Sequence, residues 1–250
     1  MIPFPFQFGG FGSSLPVEAG GGDTDPDFSN VSLLLHMDGT NDSTTFTDNS
    51  PSPKTVTVYA DAKISTTQSK FGGASCSLDG TGDFISVPAS SDFDFGASDF
   101  TLECFIYLNA APSGHGIITE EYVGNEVYFA LAFCNGSPGS PDGNKLFFGN
   151  YQSGAWLGAV DSSGISISTW HHVAGVRYEN LWTLYLNGTS VGSQTIAKTL
   201  AQQNKIQIGR RWDNGGGECL NGYIDELRIT KGVARYTANF TPPAAPFPNS

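Results

Sequence analysis

Charge is scarce in this 250-residue chain, and positive charge scarcer still: Asp, Glu, Lys and Arg make up 14%, and 12 basic residues face 24 acidic ones, a formal net charge of −12. Phosphate recognition needs clustered Lys and Arg, so nucleic acid is excluded as the main ligand. No apolar run approaches the roughly 20 residues of a membrane span. The start, with Met1, Ile2, Pro3 and Phe4, lacks the basic head and continuous apolar core of a secretory signal. The four cysteines, Cys76, Cys104, Cys134 and Cys219, form no CxxC pair, so zinc-ligand spacing is missing and free thiols are expected. No window sustains helical periodicity, and no period of 20–50 residues repeats, which removes bundles, propellers and solenoids.

What the chain does have is turn formers and a core. Gly numbers 31 and Pro 14, while hydrophobic residues reach 39%. That combination suits one all-β domain with many short strands. Strand candidates run at 31–37, 55–59, 75–78, 84–87, 100–108, 116–120, 127–133, 145–148, 155–160, 170–178, 182–186, 190–195, 205–208 and 222–229. Turn signals separate them, the sharpest being Asn187 and Gly188 between two strand-like runs. Fourteen candidates imply two stacked antiparallel sheets, a jelly-roll sandwich over residues 30–241.

The ends read differently. Residues 1–29 form an extended Gly/Pro/Phe arm and linker, in which Ile2, Phe4, Phe6, Phe8 and Phe11 present a row of large apolar groups. Such a row marks an assembly interface. Asp23, Asp25 and Asp27 space acids two apart, but Pro26 and Phe28 break the pattern of a calcium loop, leaving a solvated linker. Residues 242–250 form a Pro-rich extended tail.

Residues 222–229 alternate like a strand, with Tyr223, Asp225, Leu227 and Ile229 on one face. Asp225 would then sit on a core face, where a carboxylate must be hydrogen-bonded, paired or metal-bound. Catalytic patterns are missing. No Glu-x-Asp-x-Glu strand occurs, and the adjacent acids Glu120 and Glu121, like Asp225 and Glu226, point to opposite faces. The Gly188 to Gly192 stretch around Ser190 matches a serine-hydrolase elbow only formally, because it follows a hairpin turn and enters no helix. His172 shares parity with Trp170, Ala174 and Val176 and reads as a hydrogen-bonded core histidine. Sugar recognition needs aromatic faces beside polar groups. Arg210, Arg211, Trp212, Asp213 and Asn214 make the best loop cluster, with Trp156, Tyr151 and Tyr122 as further candidates; Trp212 could equally pack against the sandwich rim.

Several blocks occur in an order that resembles the laminin-G-like jelly rolls of the concanavalin A-like superfamily. They are residues 31–39, Phe71 to Ala74 with Leu78 to Ile85, the strand opening at Phe100, Trp170 to Ala174, Leu184 to Gly188, and the closing strand at 222–229. Residues 232–248 resemble the ending common in structural proteins of tailed phages. The resemblance implies a non-enzymatic virion protein, a capsid decoration or tail-associated subunit that displays a lectin-like jelly roll. A host-surface glycan-binding adhesin is the alternative, and a glycan-acting hydrolase the third reading. It further implies docking to other virion proteins through the arm, a homo-oligomer, and one structural calcium at Asp38 and Asp225, with Asp48 or Asn41 assisting.

Overall fold

The computed structural model describes residues 24–111, 116–120, 126–134, 144–161, 163–200, 204–211 and 219–250. Its strands are β1 Val31–Leu35, β2 Thr57–Tyr59, β3 Lys63–Ser65, β4 Ser75–Asp79, β5 Phe84–Val87, β6 Phe100–Leu108, β7 Gly116–Glu120 and β8 Val127–Cys134. They continue with β9 Lys145–Gln152, β10 Ala155–Val160, β11 Trp170–Tyr178, β12 Leu181–Leu186, β13 Thr189–Thr195, β14 Ile206–Ile208 and β15 Asn221–Lys231. Sheet A has the order β13-β12-β11-β6-β15-β4-β3, with β1 also on β15; sheet B has the order β10-β9-β8-β7-β14-β5-β2. Every pairing is antiparallel, which gives the expected two-sheet jelly-roll sandwich. No helix among the described residues is long and apolar enough to cross a membrane.

The sandwich core follows from strand alternation. Leu102, Cys104 and Ile106 of β6 meet Phe129, Leu131 and Phe133 of β8, with Phe148, Trp182, Ile206 and Ile208 between the sheets. Asn187 and Gly188 turn with positive φ between β12 and β13, as their sequence demands. Ser190 therefore sits on a hairpin strand and not on an elbow before a helix. All four cysteines are free and buried. Burial pushes the thiols of Cys76, Cys104 and Cys219 up, so they are unreactive. β3 was absent from the candidate strands because Lys63, Ile64 and Ser65 are too few to alternate visibly.

The outer face of sheet A is buried as well, covered by the expected tail, by the segment just before it and by the end of the expected linker. Phe247 of the C-terminal tail joins Val31, Leu34 and Phe105 in one cluster. Tyr236 and Phe240 join Ala174, Val176 and Tyr185 in another, their rings stacked at 3.5 Å. Asp25, expected in a solvated linker, is buried, and its backbone N–H donates to the carbonyl of Ser250. The reason is charge. Asp25 accepts from Arg228 Nη1 at 3.0 Å and from Arg235 Nη2 at 2.7 Å.

Beneath them lies Glu103 of β6, fully buried. One carboxylate oxygen takes Arg228 Nε at 2.9 Å; the other takes the Tyr236 hydroxyl at 2.8 Å and His172 Nε2 at 3.2 Å. His172 is thus the hydrogen-bonded buried histidine anticipated, on the outer face of its sheet. Burial alone would raise the Glu103 carboxyl, but Arg228, His172 and Arg235 hold it well below the usual range. Because that folded pKa is depressed, its stabilisation is present above the unfolded value and lost as the pH falls. Replacing Glu103 by Ala leaves Arg228 with Asp25 as its one remaining described carboxylate partner and strips the Tyr236 hydroxyl and His172 of their acceptor. We expect a loss of about 3–5 kcal/mol at neutral pH, read as a lowered denaturant midpoint. Glu103→Gln should in addition flatten the acid limb of a melting-temperature profile; an unchanged limb would show that this carboxylate does not govern it.

Candidate functional site: the outer face of sheet B

Residues paired directly across antiparallel strands lie on the same face, so the register defines a row. Gly158 pairs with Gly149, Gly149 with Ala130, Ala130 with Thr119, Thr119 with Gln207, Gln207 with Ser86, and Ser86 with Thr57. These seven residues cross all of sheet B on the side away from Ile206 and Ile208. The row is made of small and polar side chains. Its floor is buried: Gln207 is 1% exposed and Thr119 not at all.

Aromatic groups stand at both ends of this face. At the β9–β10 end, Trp156 pairs across the hairpin with Tyr151 at a ring separation of 5.0 Å, and stands edge-on to Phe147 at 5.7 Å. Both rings are half-buried against an apolar cluster built only from β8, β9 and β10. At the β2–β5 end, Tyr59 and Phe84 stack at 4.0 Å and 7°, with the Arg210 guanidinium 4.6 Å above Phe84.

The sequence placed Arg211, Trp156 and Tyr151 in one set of sugar-contacting candidates. The structure separates them. Arg211 follows β14, whereas Tyr151 lies three strands away and Trp156 four, about 14–19 Å at the usual strand spacing. Tyr122, Trp212, Asp213 and Asn214 lie outside the described residues, as do Ile2, Phe4, Phe6, Phe8 and Phe11 of the arm. Arg210, named in the loop cluster, does stand on this face; missed by sequence reasoning were Tyr59, Phe84 and Gln207. Alternation marks each as outward-facing, but only the register shows that they adjoin.

The other candidate pair, Asp38 and Asp225, flanks the 70–73 turn. Asp225 is buried, as expected, but not on the core face. Glu226 adopts φ 48°, and the pairing with β6 slips between Asp225 and Arg228. This bulge reverses the alternation. Asp225 pairs with Phe105 on the outer face, while Leu227 and Ile229 point into the sandwich. The carboxylate takes backbone N–H groups from Lys70 at 2.6 Å, Phe71 at 3.1 Å and Glu226 at 2.9 Å. Gly72, at φ +60°, leaves room for the Asp38 carboxylate, with which any side chain there would collide. Glu226 completes the cluster, receiving His36 Nδ1 at 2.9 Å and the N–H of Phe247.

Burial raises the Asp225 carboxyl to about 7; the Lys70 and Phe71 N–H groups oppose that rise, and the charges of Glu226 and Asp38 add to it. Asp38 is raised by burial and by Glu226. Asp48 and Asn41 are committed elsewhere: Asp48 holds the N–H groups of Leu34, Ser50 and Lys54, and Asn41 that of Thr66. Among the described residues no three His, Cys, Asp or Glu side chains converge as a metal site.

Two antiparallel sheets with an aromatic-flanked polar row define a lectin-type sandwich, and the comparisons with known proteins agree. The chain belongs to the Concanavalin A-like lectin/glucanases superfamily, whose pattern matches residues 79–235. No curated protein sequence matches it. Among solved structures it is similar to Domain 4 of AbnA, a GH43 extracellular arabinanase from Geobacillus stearothermophilus, in complex with arabinotriose. There the identity is 18%, over 82% of this chain and 94% of that one, with a TM-score of 0.63. The binding domain of Paraclostridial Mosquitocidal Protein 1 is 16% identical over 82% of this chain and 50% of that one, at a TM-score of 0.61. A structure of botulinum neurotoxin type C, whose cell entry depends on interaction with two ganglioside molecules, is 16% identical over 82% and 49%, at 0.58. The chain spans about half the length of these two toxin chains. At such identities the likeness is one of fold.

Asp225→Ala removes the acceptor of three N–H groups and should cost about 1–3 kcal/mol or more, measured by denaturant unfolding. The folded pKa lies above the unfolded one, so this site's stability is full below about pH 4 and lost as the pH rises through about 7. Asp225→Asn should therefore flatten the fall in melting temperature across that window. A wild-type profile that does not fall there would contradict the raised carboxyl.

Proposed function

We propose that this protein is a non-catalytic, glycan-binding jelly roll displayed on a phage virion, as a capsid decoration or tail-associated subunit. The outer face of sheet B reads a host-surface sugar, and the segment before residue 24 docks the module to other virion proteins. The observation that carries the glycan reading is the polar floor of Thr119, Gln207 and Ser86 between two aromatic groups. Rings flanking hydrogen-bonding side chains are what a sugar requires. The arabinotriose bound to the arabinanase domain, of which this chain covers 94%, supports the same class of ligand on the same fold.

Support for a binding role without catalysis comes from the buried carboxylates. Glu103, Asp225, Glu226, Asp48 and Asp161 are each tied to N–H, guanidinium or hydroxyl partners. A glycosidase needs two carboxyl groups flanking a scissile bond. The virion reading is supported by the phage-like ending at 232–248 and by the Phe/Pro arm. A homo-oligomer fits a displayed subunit. The calcium reading rests on Asp38 and Asp225, whose carboxyls are both raised by burial and by the charge of Glu226, a repulsion that a cation would relieve. A chelator should then lower the melting temperature of the wild type and leave Asp225→Ala unchanged; no chelator effect removes the metal.

A purely structural role is the second reading, favoured by the half-burial of Trp156 against Phe147. Trp156→Ala and Trp212→Ala separate the two. The glycan reading expects at least tenfold weaker binding to host cells or arrayed glycans, about 1.4 kcal/mol, with the fold intact. The structural reading expects a lowered melting temperature and no binding to lose. Deleting residues 1–20 should leave the domain folded and abolish incorporation into particles. Normal incorporation of the truncated chain would refute the docking arm.

A further inference from the structure

We infer that the Arg210 end of sheet B recognises a carboxylate-bearing sugar, so that the glycan taken by this face is an acidic one. This rests on the glycan reading above and narrows it to a chemical class.

Arg210 differs from the other well-placed arginines. Arg177 donates to the carbonyls of Glu179 and Gly96, Arg228 to Glu103 and Asp25, and Arg235 to Thr230 and Asp25. Among the described residues the Arg210 guanidinium makes no hydrogen bond and no ion pair. It lies over the face of Phe84, at 4.6 Å. The acids nearest in the chain path are otherwise engaged. Asp83 accepts the N–H groups of Asp61 and Asp79; burial and the charges of Asp79 and Asp61 raise its carboxyl, with no arginine opposing them.

The backbone of Arg210 is held firmly. Its carbonyl accepts the Thr119 hydroxyl at 2.9 Å, and it bridges to Cys219. It also lies so close to Gly116 that any side chain there would collide with it, the close backbone approach that a strand glycine permits. A guanidinium stacked on a ring and anchored at its backbone loses little freedom on binding. Its fork of N–H donors matches a planar carboxylate with two parallel hydrogen bonds.

Beside it is a second group without a partner. Gln207 Oε1 is buried and accepts no hydrogen bond. An acceptor stripped of water and left unpaired costs free energy, which a sugar hydroxyl would recover. Gln207 pairs with Ser86, and Phe84 lies two residues along β5 on the same face. Gln207 and Phe84, which carries the arginine plate, are therefore diagonal neighbours with backbones about 7–8 Å apart. With a net charge of −12 the chain repels anions at long range. Recognition of an acidic sugar has to come from these contacts.

The full-length protein would be titrated with a hexuronate oligosaccharide and with a sialylated oligosaccharide, each beside the same compound with its carboxylate reduced to the alcohol. We expect at least one acid to bind tenfold or more tightly than its reduced form; which one distinguishes a uronate from a sialate source. Arg210→Gln should erase that ratio while weak binding of the reduced sugar persists. Arg210→Lys should leave it only partly, since a point charge cannot form the fork, and it serves as the folded control if the glutamine variant is unstable. Gln207→Leu should weaken acid and reduced forms alike. Equal binding of acid and alcohol, or a ratio that survives Arg210→Gln, would overturn the inference while leaving the glycan reading standing. Binding of none of the four compounds, nor of any neutral glycan on an array, would overturn both.

Discussion

A single buried carboxylate organises one side of this molecule. Glu103 sits in the middle of β6, the strand that joins β11 to β15 at the centre of sheet A. Left alone there it would be intolerable. Its presence demands Arg228 from β15, His172 from β11 and Tyr236 from the C-terminal segment. Arg228 in turn requires Asp25, and Asp25 requires Arg235. Each link is a desolvated charge that only the next can satisfy. The chain of obligations draws both terminal segments onto the sheet, where Tyr236, Phe240 and Phe247 then bury apolar surface.

The consequence is a molecule with two unlike sides. Sheet A is sealed by the protein's own ends. Sheet B turns small, polar and aromatic residues outward in register, with Thr119, Gln207 and Ser86 among them buried. The two carboxylate clusters also respond oppositely to acid. Glu103 is depressed by its cations, and Asp225 is raised by burial and by neighbouring acids. The contribution of Glu103 is lost as the pH falls, and that of Asp225 as the pH rises through about 7.

Much of the fold was legible because strand alternation and turn chemistry are local. The hairpin at Asn187 and Gly188, the long central strands and the closing strand needed only neighbours in sequence. The errors share one cause, which is distance along the chain. Asp25 looked solvated because glycines and Pro26 surround it; its burial is decided by Arg228, 203 positions away. Asp225 was assigned to the core face because an alternating pattern hides a bulge, and nothing local signals that Glu226 takes a left-handed backbone. For the candidate site, Tyr151 and Trp156 could be found as aromatics in a hairpin. That Arg211 lies across the sheet from them, and that Gln207 faces Ser86, depends on strand order, which composition does not encode.

The bond between the Asp25 N–H and the Ser250 carbonyl brings the two ends of the described chain to one point on the sheet A side. The outer face of sheet B lies across the thickness of the sandwich. A pull between that face and residue 24 therefore does not tug at a loose thread. Tension reaches Asp25 first, and Asp25 is riveted to two arginines of different segments. Load passes from there into β15, which pairs with β6, β4 and β1 in sheet A. The first contact to be strained is an ion cluster shielded from water and not the edge of a sheet.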